Sequence, residues 1–281
     1  MKKLYFIPQT LITFIFCSPI SWVLGASLHH AWIKTSNSKA QEIIYVQNHG
    51  VNTIEGDILL PKSDPAIKGA IIMPRLGGEP WPNSTIPYKF APNFPALSQL
   101  YALDAMDLWH QKTHVRFIEL HEDEKENHPN YVLFTPAGGT LCASHVGMQG
   151  GEQEIKLASR CNTMSIVHEI GHTLGLWHEQ SRRDRDRYVA IIWDNISEIN
   201  QYNFSQYLSN GKDFGDYDYQ SIMHYSAYAF SINGEKTIIP IKPNVEIGQR
   251  IQLSEKDIAA VQGLYPNASQ MNDSSSPGSG N

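Results

Sequence analysis

Over the first quarter of the chain, short apolar runs at residues 43–46, 58–60 and 70–73 alternate with polar turns. This pattern predicts strands on a small, loosely built segment covering residues 27–75. A proline-rich passage follows, with Trp81-Pro82 and Ile86-Pro87-Tyr88. The period then changes: Leu97, Leu100, Tyr101, Ala105, Leu108 and Trp109 recur at three- and four-residue steps, which predicts an amphipathic helix with these side chains inward. Residues 115–120 and 131–134 read as strands, with the charged stretch 121–128 as a solvated loop between them. At the ends the patterning fails. Met1-Lys2-Lys3 precedes an apolar stretch closed by Gly25 and Ala26, the grammar of a secretory signal cut near residue 26. Pro8, Gln9 and Pro19 interrupt that stretch, which argues against a membrane anchor. Residues 267–281 are mostly Ser, Asn, Gly and Pro and read as a disordered tail.

Composition adds exclusions. With 281 residues, 41% of them hydrophobic, the chain has material for a sizeable core. Its net charge of -6 offers no field for nucleic acid or an anionic membrane. Loss of the signal removes Cys17 and leaves Cys142 and Cys161. In an exported protein that pair is expected as a disulfide, worth about 3 kcal/mol on the chain-entropy estimate. Neither cysteine has a partner at metal-binding spacing. Asn-X-Ser/Thr sites stand at Asn83, Asn195, Asn203, Asn267 and Asn272, relevant only where secreted proteins are glycosylated.

The chemistry concentrates in His168-Glu169-Ile170-Gly171-His172, followed by Gly175 and His178-Glu179. On a helix, His168 and His172 project from one face and converge on a single ion, while Glu169 faces the open side. Asn162 or Thr163 suits the helix cap, and Gly175 suits a left-handed end that returns His178 as a third ligand. Three imidazoles with an open position make a catalytic zinc site, since a closed structural site needs a fourth protein ligand. Chance would produce the extended pattern on the order of once in 10^5 chains of this length. An ordinary core helix bearing histidines does not account for a third His placed after a Gly.

The extended motif, with Ser221-Ile222-Met223-His224-Tyr225 downstream, resembles the metzincin signature, and Gly171-His172 with Glu179 resembles the astacin family within it. Trp81-Pro82, Cys142-Ala143-Ser144-His145-Val146-Gly147, Arg185-Asp186-Arg187-Tyr188 and the stretch 253–265 are similar to further family segments, so the resemblance covers about residues 76–266. It implies an α+β, two-lobed, metzincin-like zinc protease with its cleft between the lobes and one zinc per chain. It makes Tyr225 a resting zinc ligand that swings to stabilise the tetrahedral intermediate, Met223 an apolar floor and Glu179 the receiver of a new N-terminus. Ile54-Glu55-Gly56-Asp57 resembles the family's latency motif, with Ile where Phe is usual; Asp57 then becomes the blocking zinc ligand. The family's second disulfide has no cysteines here, so packing alone must join the halves.

The expected protein is therefore a secreted monomeric endopeptidase, made as a latent precursor, that acts on protein or peptide substrates and holds no nucleic acid or membrane. Its zinc lowers the pKa of a water from 15.7 toward about 7, and Glu169 is the general base. The strand 142–146 is expected to take substrate by strand addition, and Lys236 and Lys242 are candidates for a pocket wall. Arg182, Arg183, Arg185 and Arg187 alternate with Asp184 and Asp186 as a self-neutralising surface network. Two rivals are a zinc peptidase whose third ligand is a downstream Glu and a catalytically silent, zinc-stabilised binding module.

Overall fold

Strand pairing dominates the first half of the chain. The computed structural model describes residues 26–34, 40–48, 50–60, 72–73, 78–121, 124, 127–206 and 212–266; the signal stretch before residue 26, Cys17, Arg75 and the tail lie outside them. β1 (Ala26–Lys34), β2 (Ala40–Asn48), β3 (Val51–Ile54) and β4 (Ile58–Leu59) form an antiparallel meander, and β5 (Ile72–Met73) pairs parallel with β1. Ala31, Ile43, Tyr45, Ile54, Ile58 and Leu60 bury together, closed by Val146 and Trp177 from later in the chain. Burial alternates along β2, so the described part of this segment carries an apolar face that the later residues complete.

The sheet continues through β6 (Thr85–Phe90), β7 (Arg116–Glu119), β8 (Tyr131–Pro136), β9 (Cys142–Ser144) and β10 (Glu152–Leu157), in the order β5-β1-β2-β3-β4-β9-β10-β8-β6-β7. β6, β7, β8 and β10 are mutually parallel, and β9 runs antiparallel to β10. The junction with the N-terminal meander is parallel, at Ile58 opposite Ser144.

Two helices pack against each other beside this sheet. α1 (Ala96–Lys112) buries Ser98, Ala102, Ala105, Met106 and Trp109, whereas Leu97 and Leu100 are 59% and 58% exposed. The sequence reading of its inner face is thus wrong at those two leucines. The buried face joins the small Ser98, Ala102 and Ala105 to the large Met106 and Trp109, and α2 (Thr163–Thr173) packs against this helix. Trp109 Nε1 donates to Val167 O at 3.0 Å across the contact. The later part of the chain holds the two-stranded β11 (Val189–Ile191) and β12 (Ile238–Pro240), with a second core of Val189, Ile196, Phe204, Tyr217, Tyr225 and Ile238. The chain ends its described part with α3 (Glu255–Leu264), and the whole is α+β.

The halves are joined through Tyr265, 2% exposed. Its hydroxyl accepts from Trp81 N at 3.3 Å and donates to Leu174 O at 3.0 Å, while Trp81 Nε1 donates to Thr173 O at 2.9 Å. Cys142 and Cys161 are disulfide-bonded, with Cα atoms 6.1 Å apart, and so tie β9 to the residue before the α2 cap. Asn203 is 1% exposed and gives its side-chain amide to Asn200 O, which removes it from the accessible glycosylation sites.

Candidate metal centre

α2 starts where Asn162 Oδ1 accepts from Ser165 N at 2.9 Å. It carries His168 and His172 on one face, their ring centroids 4.8 Å apart. Past its end, Gly175 takes φ +108°, and the chain returns His178 to 4.7 Å from the His172 ring and 5.2 Å from the His168 ring. Gly171 has a different reason: a Cβ there would stand 2.6 Å from Met223 Sδ, so the missing side chain is what admits Met223 beneath the histidines.

The hydrogen bonds fix the tautomers. His168 Nδ1 donates to Ile222 O and His172 Nδ1 to Leu176 O, both at 2.8 Å, and His178 Nδ1 donates to the Glu55 carboxylate at 2.5 Å. In the neutral imidazoles that a metal requires, Nδ1 then carries the proton and each Nε2 points inward as a lone pair. His168 Nε2 and His178 Nε2 face each other at 3.3 Å, and the Asp57 carboxylate lies 3.2 to 3.7 Å from the three Nε2 atoms. His172 Nε2 and Asp57 Oδ1 are buried without a hydrogen-bond partner. Lone pairs and a carboxylate gathered this way repel one another unless a cation sits among them. Three imidazole nitrogens and one carboxylate oxygen are a fitting donor set for zinc.

Asp57 arrives on the turn between β3 and β4. Gly56 lies against Phe230, Asp57 O accepts from Ser144 N at 2.9 Å, and Ile58 and Leu60 bury in one cluster with Val146, against which Trp177 packs. The backbone edge of β9, expected to take an extended peptide, is engaged by this segment. Glu55, quoted in the motif but given no role in the sequence reading, is 1% exposed and makes three contacts. Its carboxylate takes His178 Nδ1 and Ser181 Oγ, each at 2.5 Å, and its carbonyl accepts the Tyr225 hydroxyl at 2.6 Å.

Glu169, one residue after His168, is 2% exposed with Oε2 unpartnered. Burial, and after it the Asp57 charge, push its carboxyl well above the ordinary range. Glu179 Oε1 accepts from Asp218 N at 2.6 Å. Burial pushes this carboxyl up to about 8, against the opposing Asp218 N–H and Arg182. It lines a cavity of about 460 Å³ with Gly78, Trp177, Asp218 and Asp257.

One basic residue falls otherwise than expected. Lys236 and Lys242 are exposed. The expected Arg–Asp pairs form at Arg182–Asp184 and Arg185–Asp186, each at 2.9 Å, but Arg185 is buried and also gives Nη1 to the carbonyls of Gln180 and Phe204 at 3.1 and 2.6 Å. The cation whose charge reaches Asp57 and Glu169 is Arg250, which sequence reading missed because it lies in irregular chain with no spacing to announce it. Its Nη1 donates to His224 O at 3.0 Å. Asp257 was missed because two of its partners lie 35 and 36 residues away along the chain. It caps α3 and also accepts from Ser221 Oγ at 2.6 Å and Ile222 N at 2.8 Å, which anchors the Met223 turn.

Residues 76–266 match the peptidase family described as Astacin. The chain is 39% identical over 189 residues to zinc metalloproteinase nas-4 of Caenorhabditis elegans, covering 66% of this chain and 58% of that one. It is 40% identical over 193 residues to Blastula protease 10 of Paracentrotus lividus, covering 66% and 32%. The match thus spans less than two thirds of either relative. Among solved structures it is similar to high choriolytic enzyme 1, a hatching-enzyme zinc protease of Oryzias latipes, at TM-score 0.60 and 36% identity over 68% of this chain and 94% of that one. The chain belongs to the astacin family of metzincin zinc peptidases.

Proposed function

We propose that this chain is a secreted, monomeric zinc endopeptidase that hydrolyses protein or peptide substrates and is made latent by its own N-terminal segment. In this reading residues 1–26 are the signal, 27–75 the pro-segment, 76–266 the catalytic part and 267–281 a tail. Among the described residues no helix is long and apolar enough to cross a membrane. The observation that carries the reading is the convergence of His168, His172 and His178 with the Asp57 carboxylate. Zinc held there supplies Lewis acidity and a water acidic enough to attack near neutral pH.

The protein's own groups divide the remaining work. Glu169, beside a ligand and with an unpartnered oxygen, takes the proton from the attacking water and passes it to the leaving amine. The Tyr225 hydroxyl steadies the developing oxyanion once Glu55 O has released it. What reaches the centre from the segment is a side-chain carboxylate on the turn that leads into a strand parallel to β9, not a peptide carbonyl, so the segment blocks without presenting a bond to cut. The silent binding module has no use for an unpartnered carboxylate beside the metal position. Cutting the precursor between residues 62 and 81 is expected to release hydrolysis of a quenched peptide, abolished by chelator and restored by zinc. Activity that survives chelation would contradict the reading.

Glu179 is the proposed receiver of the new N-terminus, and its burial has a measurable cost before activation. A carboxyl with an ordinary value of 4.5 and a folded value near 8 keeps, in that window, a proton that the unfolded chain has lost. Stability therefore falls as pH rises from about 4.5 to about 8, at up to roughly 1.4 kcal/mol per pH unit. Glu179→Gln should leave the precursor's Tm unchanged at pH 4 and raise it at pH 8. An equal difference at both pH values would refute the assignment.

A further inference from the structure

The proposed role of Tyr225 requires a mobile side chain to deliver its hydroxyl to one place. Any looseness at the Cα is amplified at the hydroxyl, a full ring further out. The backbone is held from both sides. Tyr225 N donates to Gln180 Oε1 at 3.0 Å, and Tyr225 O accepts from His224 Nδ1 at 2.8 Å. Because Nδ1 serves a carbonyl, it must carry the proton, and Nε2 is left as an acceptor. It accepts the Tyr217 hydroxyl at 2.7 Å. Tyr217 is seated in turn by stacking on Tyr188, with centroids 4.7 Å apart and planes 9° from parallel. Gln180 and His224 are 0% exposed and Tyr217 4%, so water does not compete for these bonds.

We propose that Tyr217 and His224 are positioning residues for Tyr225, a two-residue relay that fixes the backbone from which the catalytic hydroxyl swings. The inference rests on the catalytic reading of Tyr225. In the precursor the hydroxyl is engaged by Glu55 O, so Tyr225 is held at both ends. After release the backbone restraint sets the arc of the ring. Removing the Tyr217 hydroxyl strands His224 Nε2 and lets the imidazole turn away from Tyr225 O. Substrate affinity does not pass through these bonds; placement of the hydroxyl in the transition state does.

The test is a double-mutant cycle on the activated enzyme with Tyr217→Phe, Tyr225→Phe and the pair. Tyr217→Phe keeps the ring and its stack on Tyr188. It should retain zinc, hold KM within about twofold and lower kcat on the order of tenfold. In the Tyr225→Phe background it should cause no further loss. Full kcat in Tyr217→Phe beside an impaired Tyr225→Phe overturns the relay, as does a loss that multiplies in the pair, because that reports damage elsewhere. Full kcat in Tyr225→Phe removes the catalytic reading itself and the relay with it. Should Tyr217→Phe fail to fold, His224→Asn serves instead: its amide still donates to Tyr225 O, so it should recover most of the kcat that His224→Ala loses. Equal kcat in these two variants overturns the proposal.

Discussion

Replacing Glu169 by Gln is expected to lower kcat/KM of the activated enzyme by at least about 100-fold while zinc content stays at the wild-type level. The substitution keeps size and burial but removes the group that accepts the proton. The three imidazoles and their Nδ1 bonds to Ile222 O, Leu176 O and Glu55 do not involve Glu169, so metal affinity has no reason to change. The raised proton affinity that burial gives this carboxyl suits a group that must hold a proton and hand it on. Zinc content and quenched-peptide kinetics on one preparation decide it. Activity within a few fold of wild type would take the general-base role from Glu169, and loss of zinc would move it to structure.

The second large effect concerns latency. Asp57→Ala should raise the activity of the uncut precursor by about 100-fold or more, the equivalent of roughly 3 kcal/mol for breaking a buried charged contact. The segment has further holds that survive this change: Glu55 on His178 and Ser181, Glu55 O on the Tyr225 hydroxyl, and the apolar cluster that Ile58 and Leu60 share with Val146. The single variant should therefore remain less active than the processed enzyme. Adding Glu55→Gln weakens the second hold and should close most of the remaining gap. An Asp57→Ala precursor as silent as wild type would mean that Asp57 does not block the centre, and a fully active uncut wild type would mean that the segment does not inhibit.

Legibility in the sequence followed the range of the interactions. His168, His172 and His178 lie within eleven residues, and helix geometry plus one left-handed glycine converts their spacing directly into convergence. The strands 131–134 and 43–46 were legible because short apolar runs bounded by polar turns mark them, and most of those side chains are buried. The α1 face was misread at Leu97 and Leu100 because hydropathy alone cannot see that the small Ser98, Ala102 and Ala105 belong to its buried face. Arg185 looked like surface charge because its pairing with Asp186 is visible in the sequence while the two backbone carbonyls that hold it inside have no sequence signature. Glu55 meets His178 across 123 residues and Tyr225 across 170, and nothing local distinguishes it from any acidic residue in a turn. Arg250 and Tyr217 likewise act on partners that no local spacing announces, and Asp257, whose cap partner Ser254 is three residues away, reaches Ser221 and Ile222 only through the fold.

The central claim is that the third histidine completes one zinc site, and zinc content measured with peptide hydrolysis in His178→Ala tests it most directly. Without His178 Nε2 the remaining imidazole donors are His168 and His172, too few for a tight site. The wild-type chain should carry one zinc and, once processed, cleave peptide; processed His178→Ala should carry little zinc and cleave essentially none. His178→Ala protein with full zinc content and full activity would contradict the account.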